Sequence, residues 1–170
     1  MSDQKMFTRI EGNTLVLERT FDAPRERVFA AFTDCKHLKH WWGPRGWDLP
    51  VCRMDFREGG SWLYCMKCVD ESMGEWFGME SWGKAVYGAI NAPERFEYTD
   101  YFCDANGEVN TDLPATTAVN EYIDLGDRTT VISTATYVSA EALKTVLDMG
   151  MLEGVTQTWD RLEELVTGQA

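Results

Sequence analysis

The chain has 170 residues, 44% of them hydrophobic and 26% charged, which is the composition of a single globular domain rather than of a disordered chain. Its 28 acidic residues exceed its 16 basic residues, so the formal net charge is -12. This charge argues against nucleic acid and anionic membrane surfaces as partners, because both attract basic patches.

Signals for export and for membrane insertion are also missing. No apolar run reaches the roughly 18 residues of a membrane helix, and residues 1–5 lack the basic and then apolar profile of a signal peptide. We therefore expect a cytoplasmic protein. The cysteines are Cys35, Cys52, Cys65, Cys68 and Cys103. Because they are odd in number and no export signal is present, all of them are predicted to be reduced thiols.

The first predicted elements are a strand and two short helices. Residues 15–21 are rich in β-forming side chains and follow the turn pair Gly12-Asn13, which is typical of a strand. Pro24 suits the first turn of a helix, and the apolar residues that follow it give that helix one buried face. A second short helical piece is predicted to end at Gly43-Pro44, since neither residue continues a helix well.

Six more strands are predicted, and short turns separate most of them. They cover residues 47–56, 61–67, 81–91, 95–103, 116–125 and 129–138. In the strand at 61–67, a period of two places Trp62, Tyr64 and Met66 on one face, which is the predicted interior face.

Residues 139–166 are predicted to form one long amphipathic helix, the element around which the rest of the chain is organised. Its apolar face comprises Leu147, Met151, Val155, Leu162, Leu165 and Val166, with Trp159 at the margin. Ser139 can cap the first turn. Gly150 and Gly154 carry no side chains and lie one turn apart, which indicates that a sheet, a ligand or a second chain approaches the helix there.

This order of elements predicts an α+β fold. Runs of adjacent strands favour an antiparallel sheet, and the helices are kept to the two ends of the chain. A long helix that crosses a curved sheet leaves a tapering space between the two layers. The functional question is whether side chains fill this space or leave it open.

Five segments resemble the signature runs of one family. They are residues 21–29 (FDAPRERVF), 41–44 (WWGP), 55–62 (DFREGGSW), 92–96 (APERF) and 158–162 (TWDRL). The chain is similar to the activator of heat-shock protein ATPase homologue-like (AHSA-type) family, within the START-like, or SRPBCC, superfamily. The resemblance implies a helix-grip fold, in which six or seven antiparallel strands grip the C-terminal helix around a hydrophobic cavity.

The same resemblance implies the domain organisation and a range of activities. It predicts a single domain at residues 14–170 after an N-terminal extension at residues 1–13. The superfamily includes lipid and hormone carriers and aromatase/cyclases, so it implies an architecture more firmly than an activity. The sequence departs from the family pattern in Cys35, where a proline is usual, and in its long segment at residues 70–80.

Aromatic and methionine side chains are abundant and suit a cavity for a small hydrophobic molecule, although they also suit a filled core. The predicted ligand-binding residues are Trp62, Tyr64, Met66, Trp82, Asp100, Asn120, Tyr122, Met151 and Trp159. Asp100 and Asn120 alternate with apolar residues on their strands, and each would orient a ligand or act as an acid or base if it faced an open pocket. Alternation alone does not decide which face is inside.

Other chemistries have weaker support. A glycine-flanked nucleophile elbow is missing, which disfavours a hydrolase. Asp34, His37 and His40 share a helical spacing but are interpreted as an ordinary solvated face, and Cys65-x-x-Cys68 is interpreted as coincidence because it lies on a strand. No catalytic residue, metal or cofactor is predicted.

Three hypotheses remain from the sequence. The first is a non-enzymatic binder of a small hydrophobic molecule, as a possible homodimer. The second is an enzyme of cyclase or hydrolase type that uses the same cavity, and the third is a co-chaperone-like interaction module. The apolar segment at residues 73–79 is predicted to be a lid or a partner contact, because exposed apolar patches usually mark a covered surface.

Overall fold

The computed structural model describes residues 5–168, which form one antiparallel sheet and several helices. The strands are β1 (Phe7–Glu11), β2 (Thr14–Phe21), β3 (Trp47–Met54), β4 (Ser61–Cys68), β5 (Glu80–Asn91), β6 (Arg95–Phe102), β7 (Thr116–Asp124) and β8 (Thr129–Thr136). The helices are α1 (Arg25–Thr33), α2 (Cys35–Trp41), α3 (Ala140–Asp148) and α4 (Met151–Val166), with a 3-10 helix at Glu71–Trp76. Each described helix is either too short or too polar to cross a bilayer.

The sheet has the order β1-β2-β8-β7-β6-β5-β4-β3, and every neighbouring pair is antiparallel. The predicted α+β class is confirmed, but the sheet has eight strands rather than six or seven. The extra strand is β1, which the turn at Gly12-Asn13 pairs with β2. All five residues of β1 are exposed, so it lacks the pattern of a half-buried strand.

Strand β1 comes from the predicted N-terminal extension, which therefore adds an edge to the sheet. Residues 1–4 of that extension and residues 169–170 of the predicted domain lie outside the described residues.

The predicted single helix at residues 139–166 is wrong in one respect, because it is two helices. Helix α3 begins after Ser139, whose side chain accepts a hydrogen bond from the backbone N–H of Ala142 at 3.0 Å. Gly150 separates α3 from α4 with a φ of 87°, a left-handed conformation that glycine adopts at little cost. Helix α4 carries most of the buried face, including Trp159, Leu162 and Val166.

Helix α1 fills one end of the concave face of the sheet. The ring of Phe29 contacts the rings of Phe56, Phe96 and Tyr122, with centroids 5.8, 6.0 and 5.1 Å apart. Trp41 is fully buried, and its indole N–H donates to the carbonyl oxygen of Ala31 at 2.9 Å. This end is a packed aromatic core, and the cavity described below lies where α4 crosses the sheet.

A disulfide joins Cys35 to Cys52, with the two Cα atoms 5.8 Å apart. The prediction that all cysteines are reduced is therefore wrong for this pair. The fold brings the first residue of α2 beside β3, a proximity that a separation of 17 residues does not reveal. Cys65, Cys68 and Cys103 are free.

Candidate functional site: a cavity between the sheet and helix α4

A cavity of about 440 Å³ lies between the concave face of the sheet and helix α4. Strand alternation builds its floor. In β4, the inward residues Trp62, Tyr64 and Met66 line the cavity, and the neighbouring strand β5 adds Ala85 and Tyr87. The side chains between them point to the other face of the sheet, because successive residues of a strand alternate.

Helix α4 forms the roof. Met151, Val155 and Trp159 face the cavity at a helical spacing, and Gly154 leaves a gap between them. A Cβ atom added to Gly154 would have Pro44 Cγ as its nearest neighbour, at 3.9 Å. Of the neighbours that the sequence left open at this glycine, the structure places there the loop before β3, which contains Pro44, and the cavity.

Arg161 of α4 fixes the loop that closes one side of the cavity, where Trp42, Gly43 and Pro44 form the wall. Its guanidinium donates to four backbone carbonyl oxygens of the segment 40–47. They are those of Gly43 (2.8 Å), Trp47 (3.1 Å), His40 (3.1 Å) and Pro44 (3.3 Å). A planar guanidinium is suited to bridging several acceptors at once.

Tyr64 and Asp100 form a polar pair in the cavity wall. The Tyr64 hydroxyl donates to the carboxylate, with both carboxylate oxygens 3.0 Å away. Burial raises the pKa of Asp100 to about 7, and the hydrogen bond from Tyr64 opposes this rise only in part. Burial also raises the pKa of Tyr64, so the phenol keeps its proton. Near neutral pH, Asp100 therefore exists in both protonation states.

Asn120 is a second polar group in the wall, with 4% of its surface exposed. Its amide nitrogen donates to the Tyr122 hydroxyl at 3.4 Å, which is a long hydrogen bond. No donor among the described residues reaches its Oδ1 atom. Ser133 lies directly opposite on β8 and also lines the cavity. A buried acceptor without a donor is costly, so a donor from a bound molecule would stabilise it.

A family model described as activator of Hsp90 ATPase homolog 1-like protein (AHSA1) matches residues 22–167. The chain belongs to the AHSA1 family. This match confirms the predicted family and agrees with a sheet that grips the C-terminal helices around a cavity.

Several solved structures share the fold. A solution structure of a protein from Arthrobacter aurescens is 27% identical, covers 98% of this chain and 92% of that one, and has a TM-score of 0.83. A crystal structure of protein Ms6760 from Mycobacterium smegmatis is 30% identical, with 95% of each chain covered and a TM-score of 0.80. A solution structure of a protein from Staphylococcus epidermidis is 29% identical, covers 97% of this chain and 96% of that one, and has a TM-score of 0.81. No curated protein matches the sequence.

The structure brings most of the predicted ligand-binding residues together around this AHSA1-type cavity. Those that line it are Trp62, Tyr64, Met66, Asp100, Asn120, Met151 and Trp159. For Asp100 and Asn120, the structure decides the question that alternation left open, because both side chains face inward. Their role in binding stays a prediction.

Trp82 does not line the cavity. It lies on the other face of the sheet, where its indole N–H donates to Glu80 Oε1 at 3.0 Å. The register pairs Gly83 of β5 with Tyr64 of β4, and this places Gly83 inside and its neighbour Trp82 outside.

Tyr122 is buried but belongs to the packed core rather than to the cavity wall. Its ring contacts those of Phe29, Phe32 and Phe96 under helix α1. It faces the same side of β7 as Asn120 but lies two residues nearer to the filled end. Period-two alternation gives the face of a strand but not the position along it.

Sequence reasoning missed part of the wall. Tyr98 shares the inward face of β6 with Asp100, and Ala135 shares that of β8 with Ser133, so alternation would have found both once one inward residue was known. Trp42 was named only at the end of a predicted helix and in a family segment. Its ring packs against Trp62 and Tyr64 of β4, with centroids 4.9 and 6.0 Å apart, and these contacts between distant parts of the chain are not shown by any local pattern.

The remaining sequence motifs lie outside the cavity. Within residues 5–168, no three His, Cys, Asp or Glu side chains converge as a metal site requires, and Asp34 instead caps α2 by accepting from the N–H of Lys36 at 2.8 Å. Cys65 and Cys68 are buried and unbonded to each other. In the segment 73–79, Trp76 and Phe77 are about half exposed and do not line the cavity, so its role as a lid or contact stays a prediction.

Asp100→Asn is expected to change how stability depends on pH. The ordinary pKa of an aspartate is 3.8, and the fold raises it to about 7. Between these values the unfolded chain releases the proton while the folded protein retains it, so rising pH favours unfolding in this window. The neutral amide removes this effect. As the pH rises from 4 to 8, the free energy of unfolding of the variant should therefore increase by roughly 1–3 kcal/mol relative to that of the wild type. Urea unfolding at each pH measures this difference.

Glu121→Gln provides a matched control, because it removes an exposed carboxylate from the neighbouring strand β7. This variant should follow the pH profile of the wild type. If Asp100→Asn also followed that profile, Asp100 would not be held in a desolvated site.

Proposed function

We propose that the protein binds a small, mainly apolar molecule in the cavity between the sheet and helix α4. The supporting observation is the cavity itself, because its volume of about 440 Å³ falls within the roughly 300–1,000 Å³ typical of ligand sites. If side chains filled the space between the sheet and α4, there would be no room for a ligand and no basis for this proposal.

The chemistry of the wall favours an apolar guest. Trp62, Trp159 and Tyr98 offer aromatic surfaces, while Met66 and Met151 are flexible and adapt to irregular shapes. Each Å² of apolar surface that a guest removes from water contributes about 25 cal/mol. Affinity can therefore arise from burial, and the few polar groups of the wall would set the orientation of the guest.

A second candidate function is acid or base catalysis in the same cavity. The observation that favours it is Asp100, whose raised pKa of about 7 would let it accept or donate one proton near neutral pH. Asp100→Asn separates the two candidates. Binding alone survives the exchange of a carboxylate for an amide of the same shape, whereas proton transfer at this position is lost.

Surface functions remain separate predictions. A homodimer or a chaperone contact would use exposed apolar side chains such as Trp76, Phe77 and Met79, which are 46%, 49% and 44% exposed. Neither would require the cavity.

The cytoplasmic location also stays a prediction, and the Cys35–Cys52 disulfide counts against it because disulfides are rare in that compartment.

Gly154→Leu tests the binding proposal by filling the cavity from the roof. A leucine at this position has room to extend toward the free space, and it also raises helix propensity by about 1 kcal/mol. The variant should therefore stay folded. In a thermal-shift screen of apolar small molecules, compounds that raise the Tm of the wild type should not raise that of Gly154→Leu, since only native-state binding stabilises.

The control is Glu153→Leu, which adds the same side chain to the exposed side of α4. It should respond to the compounds as the wild type does. A screen in which no compound shifts the wild-type Tm at concentrations well above plausible dissociation constants would contradict the proposed function.

A further inference from the structure

Two polar sites in the cavity lie well apart from each other. One is the Tyr64–Asp100 pair, and the other is Asn120 with its cross-strand neighbour Ser133. The register of the sheet gives their spacing. Asn120 pairs with Phe96 of β6, and Asp100 lies four residues further along β6. At about 3.3 Å per residue, the two positions are roughly 13 Å apart along the strand.

The wall between these two places is apolar or aromatic. Tyr98 lies midway along β6 between Phe96 and Asp100, and its row across the sheet continues through Ala118 to Ala135 and Leu15. Tyr98, Ala135 and Leu15 line the cavity. The cavity therefore has a polar site at each end and a mainly hydrophobic middle, in which Tyr98 carries a hydroxyl group.

Both ends present hydrogen-bond acceptors. Asn120 Oδ1 receives no donor from the described residues although the side chain is almost fully buried. At the other end, the carboxylate of Asp100 accepts from Tyr64, and each carboxylate oxygen has a further lone pair available. A donor from the guest would therefore pair Asn120 Oδ1, and an apolar guest without one would leave it buried and unpaired. The buried indole N–H of Trp42, which lines the cavity and reaches no acceptor among the described residues, would in turn take an acceptor such as a hydroxyl oxygen.

We propose that the cavity binds an elongated, rigid, hydrophobic molecule with a hydroxyl group at each end, one donating to Asp100 and the other to Asn120. This inference rests on the proposed function and specifies the chemical class of its ligand. A hydroxyl suits both ends, because it donates to the carboxylate or amide oxygen and can also accept, for example from the Ser133 hydroxyl.

The test uses three rigid probes of nearly equal length: trans-stilbene, 4-hydroxystilbene and 4,4′-dihydroxystilbene. Their dissociation constants for the full-length wild-type protein are measured by quenching of tryptophan fluorescence. Each added hydroxyl should tighten binding by about fivefold to tenfold, since each completes one hydrogen bond in the buried site.

Two variants assign the hydroxyls to their partners. Asn120→Leu, of similar volume, should remove the gain from the second hydroxyl while 4-hydroxystilbene still binds through Asp100. Asn120→Leu combined with Asp100→Leu should bind all three probes equally. A general loss of structure would weaken trans-stilbene as well, so its affinity reports whether the cavity is intact.

The other outcomes separate the inference from the proposed function. Equal affinities of the three probes for the wild type, or equal affinities of the two hydroxylated probes, would overturn the two-ended site and leave hydrophobic binding in place. Failure of all three probes to bind would count against both.

Discussion

Replacing Gly83 with alanine is expected to destabilise the protein by about 2–4 kcal/mol. Gly83 of β5 lies directly opposite Tyr64 of β4, and the Tyr64 ring lies over it. A Cβ atom at Gly83 would overlap the Cζ and hydroxyl oxygen of Tyr64. The ring would have to move, which would break its hydrogen bond to Asp100 and disturb its packing on Trp62. Urea unfolding measures the loss.

Gly88→Ala is the matched control, because it makes the same change on the same strand. Its added Cβ atom would meet Glu97 Cβ at 3.6 Å, which is ordinary van der Waals contact. We expect its stability to stay within about 1 kcal/mol of the wild type, because the added methyl group has room and alanine restricts the unfolded chain. Equal effects of Gly83→Ala and Gly88→Ala would show that Tyr64 is not held over Gly83.

Arg161→Met is expected to cost about 2–4 kcal/mol and to loosen the segment 40–47. The variant keeps a long aliphatic side chain but removes the four hydrogen bonds to backbone carbonyls, the shortest of which is to Gly43 at 2.8 Å. Because Trp42, Gly43 and Pro44 form one wall of the cavity, ligand affinity should fall as well. Arg161→Lys should rescue little, since an ammonium group cannot span the four acceptors.

Arg45→Met is the control for the loss of one arginine from the same region. Arg45 forms an exposed ion pair with Glu164 at 2.6 Å, and exposed pairs contribute about 0–1 kcal/mol. Hydrogen exchange of residues 40–47 should accelerate in Arg161→Met and stay unchanged in Arg45→Met. If both variants lost the same small amount of stability, Arg161 would not anchor the loop.

The fold was predictable because the strong patterns are local. The period of two in β4 placed Trp62, Tyr64 and Met66 on the face that now lines the cavity. The same reasoning was wrong for Trp82 because the inward residue next to it is Gly83, which has no side chain and so carries no hydrophobic signal. The large hydrophobic side chain of Trp82 was therefore assigned to the interior face, whereas it lies on the outer face.

The remaining errors concern features that depend on distant parts of the chain or on backbone conformation. The apolar period of residues 139–166 continues across Gly150, so the pattern could not show that the helix ends and begins again there. The disulfide joins α2 to β3, and its cysteines come together only in the folded protein. The distance between Asp100 and Asn120 likewise depends on the register of β6 and β7, which the sequence does not specify.

The central claim is that the cavity under helix α4 holds a small molecule. Native mass spectrometry of the purified wild-type protein and of Gly154→Leu tests it most directly. We expect the wild-type spectrum to contain an added small-molecule mass, and the Gly154→Leu spectrum to contain the protein mass alone. Equal occupancy of both proteins, or an unoccupied wild type that also fails to take up any apolar compound offered, would contradict the account.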